Sequence, residues 1–527
     1  MPPPQTRDLP RILAPLLLGV LAPGAFTQPI EGEMDVDPVL IHRSYLTEPV
    51  PDPAPTQPGA TPEQIRAQAR AIEREAIEAI NAGDLARADE LLGRQRRLEP
   101  RSHVVYYNLA CVRSLMGYPG EAADLLGMSV ERGFDDIHQL VRDPHLDAVR
   151  EQELYTQLID HWPAILGARR DANLANVRTW LDGRYEETRD ESLRIDLVSA
   201  HDPTSTRKSL EELRTLTAWG ESHIFGDLLQ SEYAPYDPWV IVVLPNETDF
   251  IKWAVGVLGA SARQGFSRVG GAYVHDNKHL VAQDLGATLR HEFFHVLHWR
   301  DMTRRGQRHP IWIQEGLCSL VEDYDIDGPS IRPAPSWRTN IVKRQLSAGR
   351  LEPIAKLASY SQAKFSSKRP LARYAHARTV FLYLADQRKL RDWYQRYTQT
   401  YDQDPSGLAA LEQVLGKPID EIERDYRAWV ERLPMVPETG RDLRATLGVE
   451  IENGSGDGPV VVGLSRDARR RTGLRPYDRI THVQGQPTRD LNELIRRLGL
   501  FGPGASVELT VRRGRLHETL RATLTRP

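Results

Sequence analysis

His291-Glu292-Phe293-Phe294-His295 places two imidazoles and a carboxylate within five residues, an arrangement suited to holding zinc and activating a water molecule. On a helix, residues i and i+4 lie one turn apart on the same face, so both rings can reach one metal. Glu292 then sits beside an open coordination position, where it can take a proton from a water. With 16 His and 72 acidic residues in 527 positions, chance alone yields roughly 0.07 such matches at most. Context adds to the signal: Ala287-Thr288-Leu289-Arg290 leads in without a helix breaker, and Phe294, Val296 and Leu297 supply apolar residues for packing.

A tetrahedral site needs a third protein ligand. Glu315, in Pro310-Ile311-Trp312-Ile313-Gln314-Glu315-Gly316-Leu317, stands 20 positions beyond His295, the spacing of a second helix folding back. His298 and His309 are further candidates, although His298 is only three residues past His295 and no Gly there turns the chain toward a third histidine. Glu322, seven residues after Glu315, either orients a ligand histidine from behind or is a solvated carboxylate.

Together with Arg373-Tyr374-Ala375-His376-Ala377, these segments resemble the gluzincin metallopeptidases, specifically the bacterial peptidase MA-like proteins. The resemblance covers about residues 190 to 433. It implies a multidomain chain containing an α+β zincin-like peptidase domain with a helical lower lobe, with Zn2+ as cofactor. His291, His295 and Glu315 map to its metal ligands and Glu292 to its general base. One departure stands at Ser319, four positions after Glu315, where some gluzincins carry an acidic residue. Tyr374 or His376 could donate a hydrogen bond to a developing oxyanion, and the resemblance favours Tyr374.

The elements that must position these groups are also visible. Residues 239 to 244 form a β-branched run ended by Pro245-Asn246, and residues 193 to 197 alternate as a half-buried strand would. Residues 270 to 274 and 279 to 282 predict a hairpin with Asp276-Asn277 near its turn. The result is a small sheet before the metal helix, with an edge strand that could pair with an extended substrate. Residues 379 to 384 and 419 to 430 read as lower-lobe helices, separated by the polar stretch 402 to 407.

Toward the C-terminus, Leu447-Gly448-Val449-Glu450-Ile451, Gly458-Pro459-Val460-Val461-Val462, residues 472 to 480 and Val483-Gln484-Gly485-Gln486-Pro487 follow in an order that resembles a bacterial PDZ domain, small and β-rich, over residues 440 to 527. A helix at 491 to 498 and closing strands at 507 to 511 and 516 to 524 complete it. The resemblance implies that a peptide adds as a strand beside Leu447, Gly448 and Val449, with loop amides holding its terminal carboxylate. Tyr477 stands where the family usually has the Gly of a Gly-Asp pair. Toward the N-terminus, Gly83, Ala88, Leu91 and Leu92 recur as Gly117, Ala122, Leu125 and Leu126, an offset of 34 residues and the period of tetratricopeptide helix pairs. Such α-helical repeats span residues 64 to 170, capped by helices around 146 to 165. They serve a protein partner or brace the peptidase domain.

The length accommodates these three domains, and a formal net charge of −4 gives no case for nucleic-acid binding. The short basic clusters at Arg94, Arg96 and Arg97 and at residues 469 to 471 read as solvated faces. Cys111 and Cys318 fall in separate helices and offer no disulfide framework. Residues 12 to 25 form an apolar run after Arg7 and Arg11, read as part of a signal peptide over residues 1 to 25, with a Pro-rich linker over 26 to 63. Export to the periplasm or outside the cell is expected; a cytoplasmic chain, or one tethered by residues 12 to 25, is the alternative. The expected function is zinc-dependent peptide hydrolysis, with PDZ and repeat domains binding substrate or partner proteins. The alternative is a non-catalytic binding scaffold on a degenerate peptidase fold.

Overall fold

The computed structural model describes residues 62–181, 185–226, 228, 238–258, 271–274, 278–367, 370–454 and 457–527. The proposed signal segment, the linker up to its last residues, and Gly270, Asp276 and Asn277 lie outside them.

Helices α1 (Pro62–Asn81) and α2 (Leu85–Leu98) pack as one pair, and α3 (His103–Leu115) and α4 (Pro119–Glu131) as the next. Gly83 and Gly117, 34 residues apart, sit in the two intrapair turns with φ of 75° and 82°, a left-handed backbone that Gly adopts without steric cost. Next come α5 (Ile137–Arg142), α6 (Glu153–Asp160) and α7 (Trp162–Trp180). Their buried residues, among them Leu140, Leu158 and Trp162, join Leu91, Tyr106 and Leu126 in one core.

A five-stranded sheet follows, built from β1 (Glu186–Asp190), β2 (Ile195–Ser199), β3 (Trp239–Val243), β4 (Gly271–Val274) and β5 (His279–Ala282), with α8 (Pro203–Gly220) and α9 (Glu247–Leu258) between strands. Its order is β1-β2-β3-β5-β4. The three inner strands run parallel and the two outer ones antiparallel to their neighbours, so the expected hairpin is the pair β4–β5. The strand read as half-buried over 193 to 197 instead begins at Ile195, and all five of its residues are buried. Alternation predicts one wet face, whereas a parallel centre is covered on both sides. Here Leu197, Ile241 and Leu280 join the core beneath α8, while Val198, Val240, Val242 and Val281 pack with residues of α7 and α9.

Beyond the sheet lie α10 (Ala287–Arg305), α11 (Ile311–Leu320), the hairpin β6 (Tyr324–Asp327) and β7 (Ser330–Pro333), and the helices α12 (Trp337–Ser347), α13 (Ile354–Ala358), α14 (Pro370–Asp386), α15 (Leu390–Gln399), α16 (Leu408–Leu415) and α17 (Ile419–Arg432). Helices α14 and α17 contain the two expected lower-lobe segments. The chain ends in β8 (Val449–Glu452), β9 (Val460–Leu464), α18 (Arg466–Thr472), β10 (Arg479–Val483), β11 (Gln486–Pro487), α19 (Leu491–Leu498), β12 (Ser506–Arg513) and β13 (Leu516–Thr523). This sheet runs β13-β12-β10-β9-β8, with β11 on β10, around its own core of Leu447, Val461, Ile480, Leu494 and Leu509. Among the described residues no helix is long and apolar enough to cross a membrane.

Candidate metal centre

Helix α10 is buried on nearly every side from Thr288 to Asp301, so its polar residues must find partners inside the protein. Leu289, Phe293, Phe294, Val296 and Leu297 supply its packing. It ends at Gly306 with φ of 67°, a left-handed stop that Gly favours. Helix α11 starts after Pro310 and is held by Trp312, whose ring stacks on Phe381 at 5.1 Å and whose Nε1 donates to Ser406 O at 3.1 Å. Gly316 follows the candidate ligand for a steric reason: a Cβ there would lie 2.4 Å from the Phe381 ring.

The two helices bring His291, His295 and Glu315 together. His291 Nε2 and His295 Nε2 are 3.0 Å apart, and Glu315 Oε2 lies 3.4 Å from the first and 3.5 Å from the second. Three ligands of a tetrahedral zinc ion, each about 2.0–2.1 Å from it, sit about 3.3 Å from one another. The donor set fits as well. His291 Nδ1 is 2.8 Å from Glu322 Oε1; donating that proton leaves the Nε2 lone pair facing a second imidazole and a carboxylate, a convergence that a cation satisfies. Burial opposes the charge of Glu315, but His295 and His291 draw its carboxyl down to about 2.

Glu322 is buried against His291 and is not a solvated carboxylate. Burial opposes its charge too, yet Arg338 and His291 hold its carboxyl at about 2. Arg338 grips it with two bonds, Nε to Oε2 at 2.6 Å and an η-nitrogen to Oε1 at 2.8 Å. Glu322 stands one helical turn after Ser319, just past the end of α11.

Glu292 is fully buried, and neither of its carboxylate oxygens has a hydrogen-bond partner among the described residues. Burial, reinforced by Glu315 and Glu322 and opposed by His291, pushes its carboxyl up to about 8. Strand β4 reaches this group through Gly271, where a Cβ would lie 2.5 Å from Glu292 Cγ.

The alternatives left open by the sequence separate clearly. Tyr374 is buried on α14, where burial together with the charges of Glu315 and Glu292 raises its hydroxyl above the usual range and a hydrogen bond with Ser366 opposes the rise. His376 stacks on Tyr426 at 5.7 Å instead. His298 and His309 bond each other at 2.7 Å and do not join the His291, His295 and Glu315 cluster. Two neighbours escaped the sequence reading. Arg338 lies beyond a hairpin from its partner and carries no local signal. Cys318, by contrast, is one turn past Glu315 on the same helical face, and its sulfur and the ring nitrogens of His291 and His295 all lie within 4.8 Å of one another.

In the C-terminal unit β8 is an edge strand. Leu447 is buried, Gly448 turns with φ of 70°, and Val449 is half-buried. Tyr477 takes the left-handed turn where a Gly is usual, at φ of 69°, with its ring 80% exposed; for a residue with a Cβ that conformation costs about 1–2 kcal/mol. Asp478 beside it accepts from Arg475 N at 2.9 Å and from Arg513 at 2.8 Å.

Residues 445–524 match the PDZ-domain family, and the C-terminal unit is a PDZ domain, a module that binds peptide or protein partners. No curated protein matches the chain. Among solved structures, an aminopeptidase N family protein from Idiomarina loihiensis is similar at 15% identity, over 65% of this chain and 67% of that one, with a TM-score of 0.26. Superposition at that level supports no argument about activity.

Proposed function

We propose that this chain is a zinc metallopeptidase of the gluzincin type. The observation that carries the reading is the convergence of His291 Nε2, His295 Nε2 and Glu315 Oε2 beside Glu292, a buried carboxylate with no hydrogen-bond partner among the described residues. Zinc, when bound, supplies Lewis acidity that lowers the pKa of a water and polarises an amide carbonyl. Glu292 removes the proton of the attacking water and returns it to the departing amine. Tyr374 donates its hydroxyl hydrogen bond to the oxygen that gains charge. Glu322, held by Arg338, keeps His291 in the tautomer that directs Nε2 at the centre. Strand β4 is the outer strand of its sheet, so an extended substrate backbone can pair along it and pass Glu292.

The PDZ domain and the helix pairs, read as tetratricopeptide repeats, bind substrate or partner proteins, and the apolar run at residues 12 to 25 directs export. The rival, a binding scaffold without catalysis, requires neither metal nor an orphaned base. Elemental analysis of the purified chain, with a peptide-library assay before and after chelation, tests the proposal. Zinc retained through dialysis and hydrolysis abolished by the chelator are expected; hydrolysis indifferent to chelation refutes it. Mass spectrometry of the natively produced protein tests export, which an intact N-terminus in the cytoplasm refutes.

A further inference from the structure

The PDZ domain reaches residues that flank the candidate metal centre through buried charge. Arg290, immediately before His291, is 1% exposed. It pairs with Glu493 of α19, donates to Glu322 O at 2.6 Å and bonds Glu212 at 3.0 Å. One guanidinium therefore joins the helix carrying both histidines, the segment carrying the acid that orients His291, and the PDZ helix. Two more arginines of that helix grip the chain just past Glu322. Arg496 and Arg497 donate to Tyr324 O at 2.8 and 2.7 Å, and both pair with Asp325. Gln486 adds a two-way amide clamp on Ile326, accepting from its N at 2.7 Å and donating to its O at 3.1 Å.

Helix α19 is fixed within its own domain as firmly. Asp490 accepts from Glu493 N at 2.8 Å, Glu493 accepts from Arg489 N at 2.6 Å, and Leu491 N donates to Asn453 just past β8 at 2.9 Å. Leu491 packs in the same cluster as Val449 and Ile451 of β8, the strand beside which a peptide would add. Buried charges on both sides of such a contact leave it few alternative arrangements, because separating them strands an uncompensated charge.

We infer that Glu493 is a positioning residue of the metal centre: through Arg290 it fixes the register of α10 against Glu322, so zinc affinity at His291, His295 and Glu315 is coupled to the docking of α19. This rests on the zinc reading above. Coupling between two sites is reciprocal; if α19 supports the centre, zinc must in turn stabilise α19. A peptide seated between β8 and α19 acts on the same helix and shares in that coupling.

The test uses the full chain and zinc alone. Zinc affinity is measured by competition titration for the parent, Glu493→Gln and Asp325→Asn, and amide exchange over residues 491 to 498 is followed with and without zinc. Asp325→Asn loosens the same docking from the peptidase side and leaves the cap of α19 untouched, so it serves if Glu493→Gln disturbs the PDZ fold. The expected result is zinc affinity about 10-fold weaker in each variant, the lower end of what loss of a supporting partner causes. Zinc is also expected to slow exchange over 491 to 498 in the parent and to do so less in the variants. A parent that binds zinc, with variants of equal affinity and α19 exchange indifferent to the metal, overturns this inference alone. A parent that binds no zinc removes the metallopeptidase reading and this inference with it.

Discussion

Glu292 and Glu315 are fully buried acids on facing helices, yet their surroundings drive them apart, toward about 8 and about 2. On the proposed reading Glu315 is the metal ligand and Glu292 the base. The ligand role has a direct test: Glu315→Ala should lose zinc on dialysis and His309→Ala should keep it, as read by elemental analysis, and the opposite pattern would overturn the ligand set. Tyr374→Phe should retain zinc while turnover falls by roughly 10²-fold or more, the usual cost of losing an oxyanion donor; unchanged turnover would remove that role. At this scale the sequence was legible where the chemistry was local. Helical spacing put His291 and His295 on one face with Glu292 beside them, and the 310 to 317 segment made Glu315 the preferred third candidate over His298 and His309. The partnership of Glu322 with Arg338 depends on how a hairpin folds back, which no periodicity records.

The elements were legible in kind but not in burial. Alternation suggested one wet face for the strand near Leu197, and the parallel centre of the sheet covered both. Gly271 carries a similar tertiary constraint, since its lack of a side chain lets β4 lie against Glu292. Gly271→Ala should therefore overpack the site and cost about 1–3 kcal/mol, seen as a lower denaturation midpoint; an unchanged midpoint would show that β4 has room to shift. Behind the centre, α10 buries His298 against His309. Burial, with Arg305, lowers His309 to about 3, and burial with His309 and His295 lowers His298 well below its usual range. Unfolded histidines titrate near 6.5, so the unfolded chain binds more protons below that value. The stability of the neutral pair is complete above about pH 6.5 and is lost as pH falls toward about 3. His309→Gln should flatten the pH dependence of urea midpoints across that window, whereas a slope equal to the parent's would assign acid sensitivity to other groups.

Across the whole molecule, α10 is gripped at both ends by its accessory units. Arg142 of α5 donates to Thr303 O at 2.7 Å and Arg304 O at 2.5 Å, near its C-terminus, and α19 holds Arg290 near its start. These contacts join residues more than 160 and 200 positions apart. A one-dimensional pattern reveals each unit and not their docking. The PDZ domain was recognisable because its turns and strand openings are local, and its separate core implies independence. Residues 440 to 527 expressed alone should fold and bind an extended peptide through its free C-terminus. Titration against a C-terminal peptide library checks this, and no binder at millimolar peptide would reduce the domain to the bracing role alone.

The most direct test of zinc-dependent peptide hydrolysis is a side-by-side measurement of zinc content and turnover for the full chain and Glu292→Gln. The amide keeps the size of the carboxylate and leaves His291, His295 and Glu315 in place, but it cannot accept the water's proton. Zinc content should be equal in the two proteins, and turnover should fall by at least roughly 10²-fold in the variant. Hydrolysis that continues in Glu292→Gln at near the parental rate, or zinc-dependent hydrolysis absent from both proteins, would contradict it.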